Sequence, residues 1–106
     1  PCTPNPTDAP VAGQLDITIF NSEDANMVAM YVDVWDEIGS NIGTADFGEL
    51  PALTELTLSD VLDEGYTTDD VVNLFIWGEW VDFRYYMAFE DYDDSNPYEH
   101  TVYYLF

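Results

Sequence analysis

Apolar residues recur at every second position through most of this chain, the spacing of half-buried β-strands rather than of helices. In "QLDITIF" (14–20), Leu15, Ile17 and Ile19 share one face, with Asp16 and Thr18 on the other. "MVAMYVDVW" (27–35) groups Val28, Met30, Val32 and Val34 against Ala29, Tyr31, Asp33 and Trp35. "NIGTADF" (41–47) follows through the hairpin turn "DEIGS", and "LTELTLS" (53–59) sets Leu56 and Leu58 two apart. Leu53, Leu56 and Leu62 also fit a short helix over 52–62, a rival to that strand. "DVVNLFIW" (70–77) comes after the turn cluster "DEGYTTD". The clearest period of two lies in "WVDFRYYMAFE" (80–90), where Val81, Phe83, Tyr85, Met87 and Phe89 oppose Asp82, Arg84, Tyr86, Ala88 and Glu90. "YEHTVYYLF" (98–106) reads as a last strand.

Gly78-Glu79 fits the central pair of a type II′ turn, since glycine accepts a positive φ at the first of these positions. That turn would pair Trp77 with Trp80. Seven short strands with turn signals between them predict an all-β fold, an antiparallel β-sandwich. The spacing resembles immunoglobulin-like domains in architecture, which implies two packed sheets. The Cys…Trp…Cys signature is absent, and the tight turn joins strands five and six in one sheet, so strand order stays open. Residues 1–12, with Pro1, Pro4, Pro6 and Pro10, read as an extended linker or arm ahead of a domain at 13–106.

Composition changes this picture mainly through charge. The 106 residues carry 22 acidic side chains against one basic one, Arg84, for a formal net charge of −21. With 47% hydrophobic and 16% aromatic residues, the chain still has the material for a core. Charges of one sign repel across the whole surface, so salt or bound cations must stabilise the fold. A chain without a basic footprint is not built to bind nucleic acid or an anionic membrane directly. It could instead imitate nucleic acid and inhibit a basic enzyme. No apolar run reaches the length of a membrane span. Cys2 is the single cysteine, which excludes an internal disulfide. "PCTPNPTDAP" resembles the tether of bacterial lipoproteins, which implies a lipid anchor at Cys2, although Pro1 ahead of the cysteine departs from that pattern. These features place the protein outside the cell or on its surface.

The chemistry of catalysis is not visible. His100 is the sole histidine, no serine sits in a nucleophile turn, and the metalloprotease, phosphate-loop and dinucleotide motifs are missing. The expectation is a protein that is not an enzyme. Arg84 reads as a local salt bridge with Asp82 or a cation–π partner of Tyr86. In "FEDYDDSNPYEH" (89–100), Asp91, Asp93 and Ser95 have the alternating spacing of calcium loops, and Asn96 and Glu99 extend the set of candidate ligands. The loop lacks the glycine and the distal acid of an EF-hand, and equally acidic turns recur elsewhere, so a solvated turn competes with a Ca2+ site.

The aromatics carry the functional expectation. Tyr31, Trp35, Phe75, Trp77, Tyr86 and Tyr103 fall on faces turned away from the core and together predict an exposed aromatic face. A loop or the 45–62 segment could cover it, sugar rings could stack on it, or a protein could dock there. The sequence therefore points to a secreted or surface β-sandwich module, structural or adhesive, that self-associates or binds another surface protein. A carbohydrate-binding module using Trp35, Trp77 or Trp80 and an acidic nucleic-acid mimic are the alternatives.

Overall fold

The computed structural model describes residues 15–92 and 101–106. The Pro-rich arm, Cys2, His100 and four of the five calcium candidates (Asp93, Ser95, Asn96 and Glu99) lie outside them. Seven strands follow in order: β1 (Asp16–Asn21), β2 (Met27–Trp35), β3 (Asn41–Asp46), β4 (Thr54–Leu58), β5 (Asn73–Trp80), β6 (Tyr85–Asp91) and β7 (Thr101–Leu105). They form one sheet in the order β4-β1-β7 and a second in the order β3-β2-β5-β6. Every neighbouring pair is antiparallel except β1 and β7, which run parallel from Asp16↔Thr101 to Phe20↔Leu105. That pair departs from the purely antiparallel expectation.

The alternating residues of both sheets meet in a common core, a sandwich-like arrangement. Leu15, Ile17 and Ile19 come from β1 and its lead-in, Met30, Val32 and Val34 from β2, Ile42 and Ala45 from β3, and Leu74 and Ile76 from β5. Burying each of these side chains larger than alanine contributes about 1.5–3 kcal/mol. On the edge strand β4, Leu58 packs against the core while Leu56 stays partly exposed. The segment 52–62 contains a strand and not a helix.

Two local irregularities explain departures from simple alternation. The register shifts between Met27 and Ala29, which turns Met27 inward and leaves Val28 exposed. A bulge of this kind adds one residue to a strand and reverses the faces on its far side. Gly78 lies inside β5, beneath Met27 and Met30, rather than in a turn. A Cβ there would fall 2.6 Å from Met27 Cε, so the crowded inner face favours glycine. The hairpin joining β5 to β6 is instead the loop 81–84, where the Phe83 amide donates to the Trp80 carbonyl at 3.1 Å.

Between β4 and β5, residues 59–72 cross from one sheet to the other. Val61 N–H donates to Leu15 O at 3.0 Å and Asp63 N–H to Ile42 O at 2.8 Å. Farther along, a capping box at Thr67 starts a 3₁₀ turn at Thr68–Asp70, with Thr67 N–H on Asp70 Oδ2 at 2.9 Å.

Candidate binding surface

The outer face of the four-stranded sheet is assembled by strand register. In antiparallel strands, residues directly opposite one another share a face. Across the sheet, Asp46, Tyr31, Trp77 and Met87 form one row, and Thr44, Asp33, Phe75 and Phe89 the next. Asn41, Trp35, Asn73 and Asp91 make a third row, and Tyr85 stands opposite Glu79 at the other end. Trp77 and Tyr85 stack with ring centroids 5.6 Å apart and planes 21° from parallel. Tyr31 and Phe75 lie 6.2 Å apart and tilted. The central rings are half-buried by one another, whereas Tyr85, Met87 and Phe89 on β6 keep 66%, 58% and 61% of their surface in solvent.

Polar groups fix the margins. Thr44 donates to Asp33 at 2.8 Å, and Asn73 Nδ2 donates to Asp91 Oδ1 at 2.9 Å. Asp33, Asp46, Glu79 and Asp91 leave the face bounded by carboxylates, with no lysine anywhere in the chain to offset them. Trp35 Nε1 is buried and has no hydrogen-bond partner among the described residues.

Four of the six aromatics expected on one face, Tyr31, Trp35, Phe75 and Trp77, are brought together here. Tyr86 is not among them: it lies opposite Gly78 on the inner side of β6, with its ring 5.1 Å from that of Phe106. Tyr103 belongs to the other sheet, opposite Thr18. Tyr85, Met87 and Phe89 are the members that the sequence reading turned inward. A turn at Gly78-Glu79 pairs Phe75 with Asp82, whereas the hairpin at 81–84 pairs Phe75 with Phe89. The change of partner from an even to an odd position turns over every side chain of β6.

Arg84 anchors the hairpin. It pairs with Asp82 at 2.9 Å and with Glu23, and its guanidinium lies 5.4 Å from the Trp80 ring centroid. The cation–π partner is therefore Trp80, not Tyr86. Hydrogen bonding from Arg84 holds the Asp82 carboxyl below its usual range, and Asp82 in turn, then Glu23, raises the guanidinium.

Of the calcium candidates, Asp91 is described, and its carboxylate already receives the Asn73 amide. Among the described residues no group of three or more His, Cys, Asp or Glu side chains is placed to hold a metal. A cleft of about 290 Å³ at the end opposite the hairpin is lined by Asp36, Glu37, Ile38, Asp69, Asp70 and Val72. Two of its carboxylates are engaged in turn formation: Asp36 accepts from Ile38 N–H and Ser40 N–H, and Asp70 from Thr67 N–H. Among the described residues no helix is long and apolar enough to cross a membrane.

No protein-family model matches the chain, and no curated protein matches it in sequence. Among solved structures, the chain is similar in fold to an NMR structure of a protein from Eubacterium rectale, with a TM-score of 0.59 and 13% identity. The match covers 88% of this chain and 76% of the other. At that identity the likeness concerns fold alone.

Proposed function

We propose that this domain is a secreted or cell-surface structural and adhesive module that self-associates through the outer face of its four-stranded sheet. The observation that carries this reading is the contiguous Tyr31, Phe75, Trp77, Tyr85, Met87 and Phe89 surface, most open along β6. A monomer gains nothing from holding three large apolar side chains more than half exposed side by side, whereas a docked copy would remove them from water. The strand order supports an immunoglobulin-like reading, because β4-β1 and β3-β2-β5-β6 are neighbours in the manner of strands E-B and C′-C-F-G. The parallel β7 then occupies the place beside B.

The carboxylate border makes the association salt-dependent. Sedimentation at rising protein concentration and high salt is expected to show assembly, reduced on lowering the salt. Met87→Asp, which sets a charge in the middle of the face, is expected to leave monomer under the same conditions. A wild-type chain that stays monomeric throughout would overturn this reading.

The near-parallel stacking of Trp77 on Tyr85 favours a second reading, a platform for neutral sugar rings bordered by carboxylate and amide groups. Calorimetric titration with neutral oligosaccharides, with Trp77→Ala as the control, separates the two. Heat of binding that the variant loses selects the sugar platform, and no heat with any oligosaccharide rejects it.

A further inference from the structure

The end of the molecule that carries the β5–β6 hairpin is built from three loops, 22–26, 47–53 and 81–84. A buried polar network ties them together. Asn21, wholly buried at the end of β1, donates through Nδ2 to Ala25 O at 2.9 Å and to Leu50 O and Pro51 O at 3.2 Å. Its Oδ1 accepts from Glu23 N–H and Trp80 Nε1, both at 3.2 Å. Asn26 joins the other two loops, accepting Val81 N–H on its carbonyl and Ala52 N–H on its side chain, both at 2.9 Å. Leu53 N–H reaches Glu23 O at 3.3 Å, and Glu23 also holds Arg84.

This fixed framework displays apolar side chains outward. Phe83 is 89% exposed, Leu53 67% and Val81 57%. Phe83 and Leu53 also hold positive φ angles, 72° and 56°. For a bulky residue that conformation costs about 1–2 kcal/mol relative to the right-handed region. Neither burial nor backbone preference therefore accounts for phenylalanine at 83, where glycine would suit the turn. Strain of this kind at a cross-braced, exposed site points to a contact made outside the chain.

Charge decides among the occupants. Glu23, Asp24 and Asp82 surround the tip, and the single arginine of the chain is already paired with two of them. An anionic bilayer would be repelled. A second copy docking tip to tip would set its own Glu23, Asp24 and Asp82 against these carboxylates, with its arginine paired in the same way. We propose that the tip is a second, preorganised docking site, independent of the sheet face, in which Phe83 enters an apolar pocket of a partner protein rimmed by lysine or arginine. Rigid loops lower the ordering cost of binding, and a central aromatic anchor carries most of the energy of such contacts.

The test uses the full chain to select from a phage-displayed library of random peptides. The expected winners place Lys or Arg beside apolar residues, and their binding weakens with salt. Phe83→Ser is expected to weaken them roughly thirtyfold, the loss typical of an anchor residue. Ile38→Ser, an exposed apolar control at the opposite end, is expected to leave them unchanged. Phe83→Gly is expected to lose the same binding while melting at the same or a higher temperature. No enrichment, winners without basic residues, or winners that bind Phe83→Ser as tightly as wild type would overturn the proposal. So would a lower melting temperature of Phe83→Gly, or Phe83-dependent partition onto phosphatidylcholine–phosphatidylglycerol vesicles.

Discussion

Asn21 shows how much of one end of this fold depends on a single side chain. It is fully buried, and both of its polar atoms are engaged, with three carbonyls on one side and the Glu23 amide and Trp80 indole on the other. Replacing it with alanine leaves several of those groups without partners in a site closed to water. Asn21→Ala is expected to cost about 2–3 kcal/mol, read from the urea midpoint at unchanged slope. A second residue, Tyr104, ties stability to alkaline pH. Burial pushes its phenol above the usual tyrosine range, and the Glu90 carboxylate beside it adds to the effect. Because the folded-state value is the higher, the contribution is whole below the unfolded value of about 10 and is lost as pH rises from there towards the folded one. Between roughly pH 9 and roughly pH 11 the wild-type urea midpoint is expected to fall more steeply than that of Tyr104→Phe. Equal slopes would show that Tyr104 does not carry this dependence. Neither residue stood out in the sequence, since the partners of Asn21 lie up to 59 positions away.

At the scale of elements, most strands were legible because their inner faces repeat with a period of two. Leu15, Ile17 and Ile19, and Met30, Val32 and Val34, are buried as that period requires. What the period cannot supply is phase. Strand β6 alternates as cleanly as any, yet both its faces are largely exposed, and only its pairing with β5 decides which one is outermost. The turn residues misled at that point: Gly78-Glu79 satisfies hairpin chemistry, while the loop actually used, 81–84, has phenylalanine at its positive-φ position. Strand β3 was weak in sequence for a related reason. Gly43 allows the Val61 carbonyl to approach so closely that a Cβ at 43 would lie 2.5 Å from it. Since the obstacle is backbone, Gly43→Ala must displace the crossing segment that packs on β3. The expected cost is about 1–3 kcal/mol in unfolding free energy. A variant as stable as wild type would mean that this segment is free to move.

For the whole molecule, charge is the dominant variable. Carboxylates recur through the exposed turns and repel one another, and one arginine cannot compensate for 22 acids. Raising salt from about 0.1 M to about 1 M shortens the screening length from about 10 Å to about 3 Å. The melting temperature is therefore expected to rise steadily across that range in a calorimetric series, and a flat response would refute the role given to self-repulsion. The all-β class and the shared placement of Tyr31, Trp35, Phe75 and Trp77 could be read from residue order. The docking tip could not, because it depends on three loops far apart in the chain converging on Asn21 and Asn26.

The parallel pairing of β1 with β7 has a mechanical consequence. Five residue pairs join these strands from Asp16↔Thr101 to Phe20↔Leu105, and beyond them Phe106 N–H donates to Phe20 O at 2.9 Å. A pull on Asp16 away from Leu105 runs along both strands and strains all their cross-links together, as in a lap joint under shear. A pull that separates β5 from β6 at their open end would break the links one at a time. Force spectroscopy with handles at these two pairs of sites is expected to give a markedly higher rupture force for the first geometry. Wired in this way, the β4-β1-β7 sheet resists tension between Asp16 and Leu105 as a unit, while the β5–β6 ribbon peels.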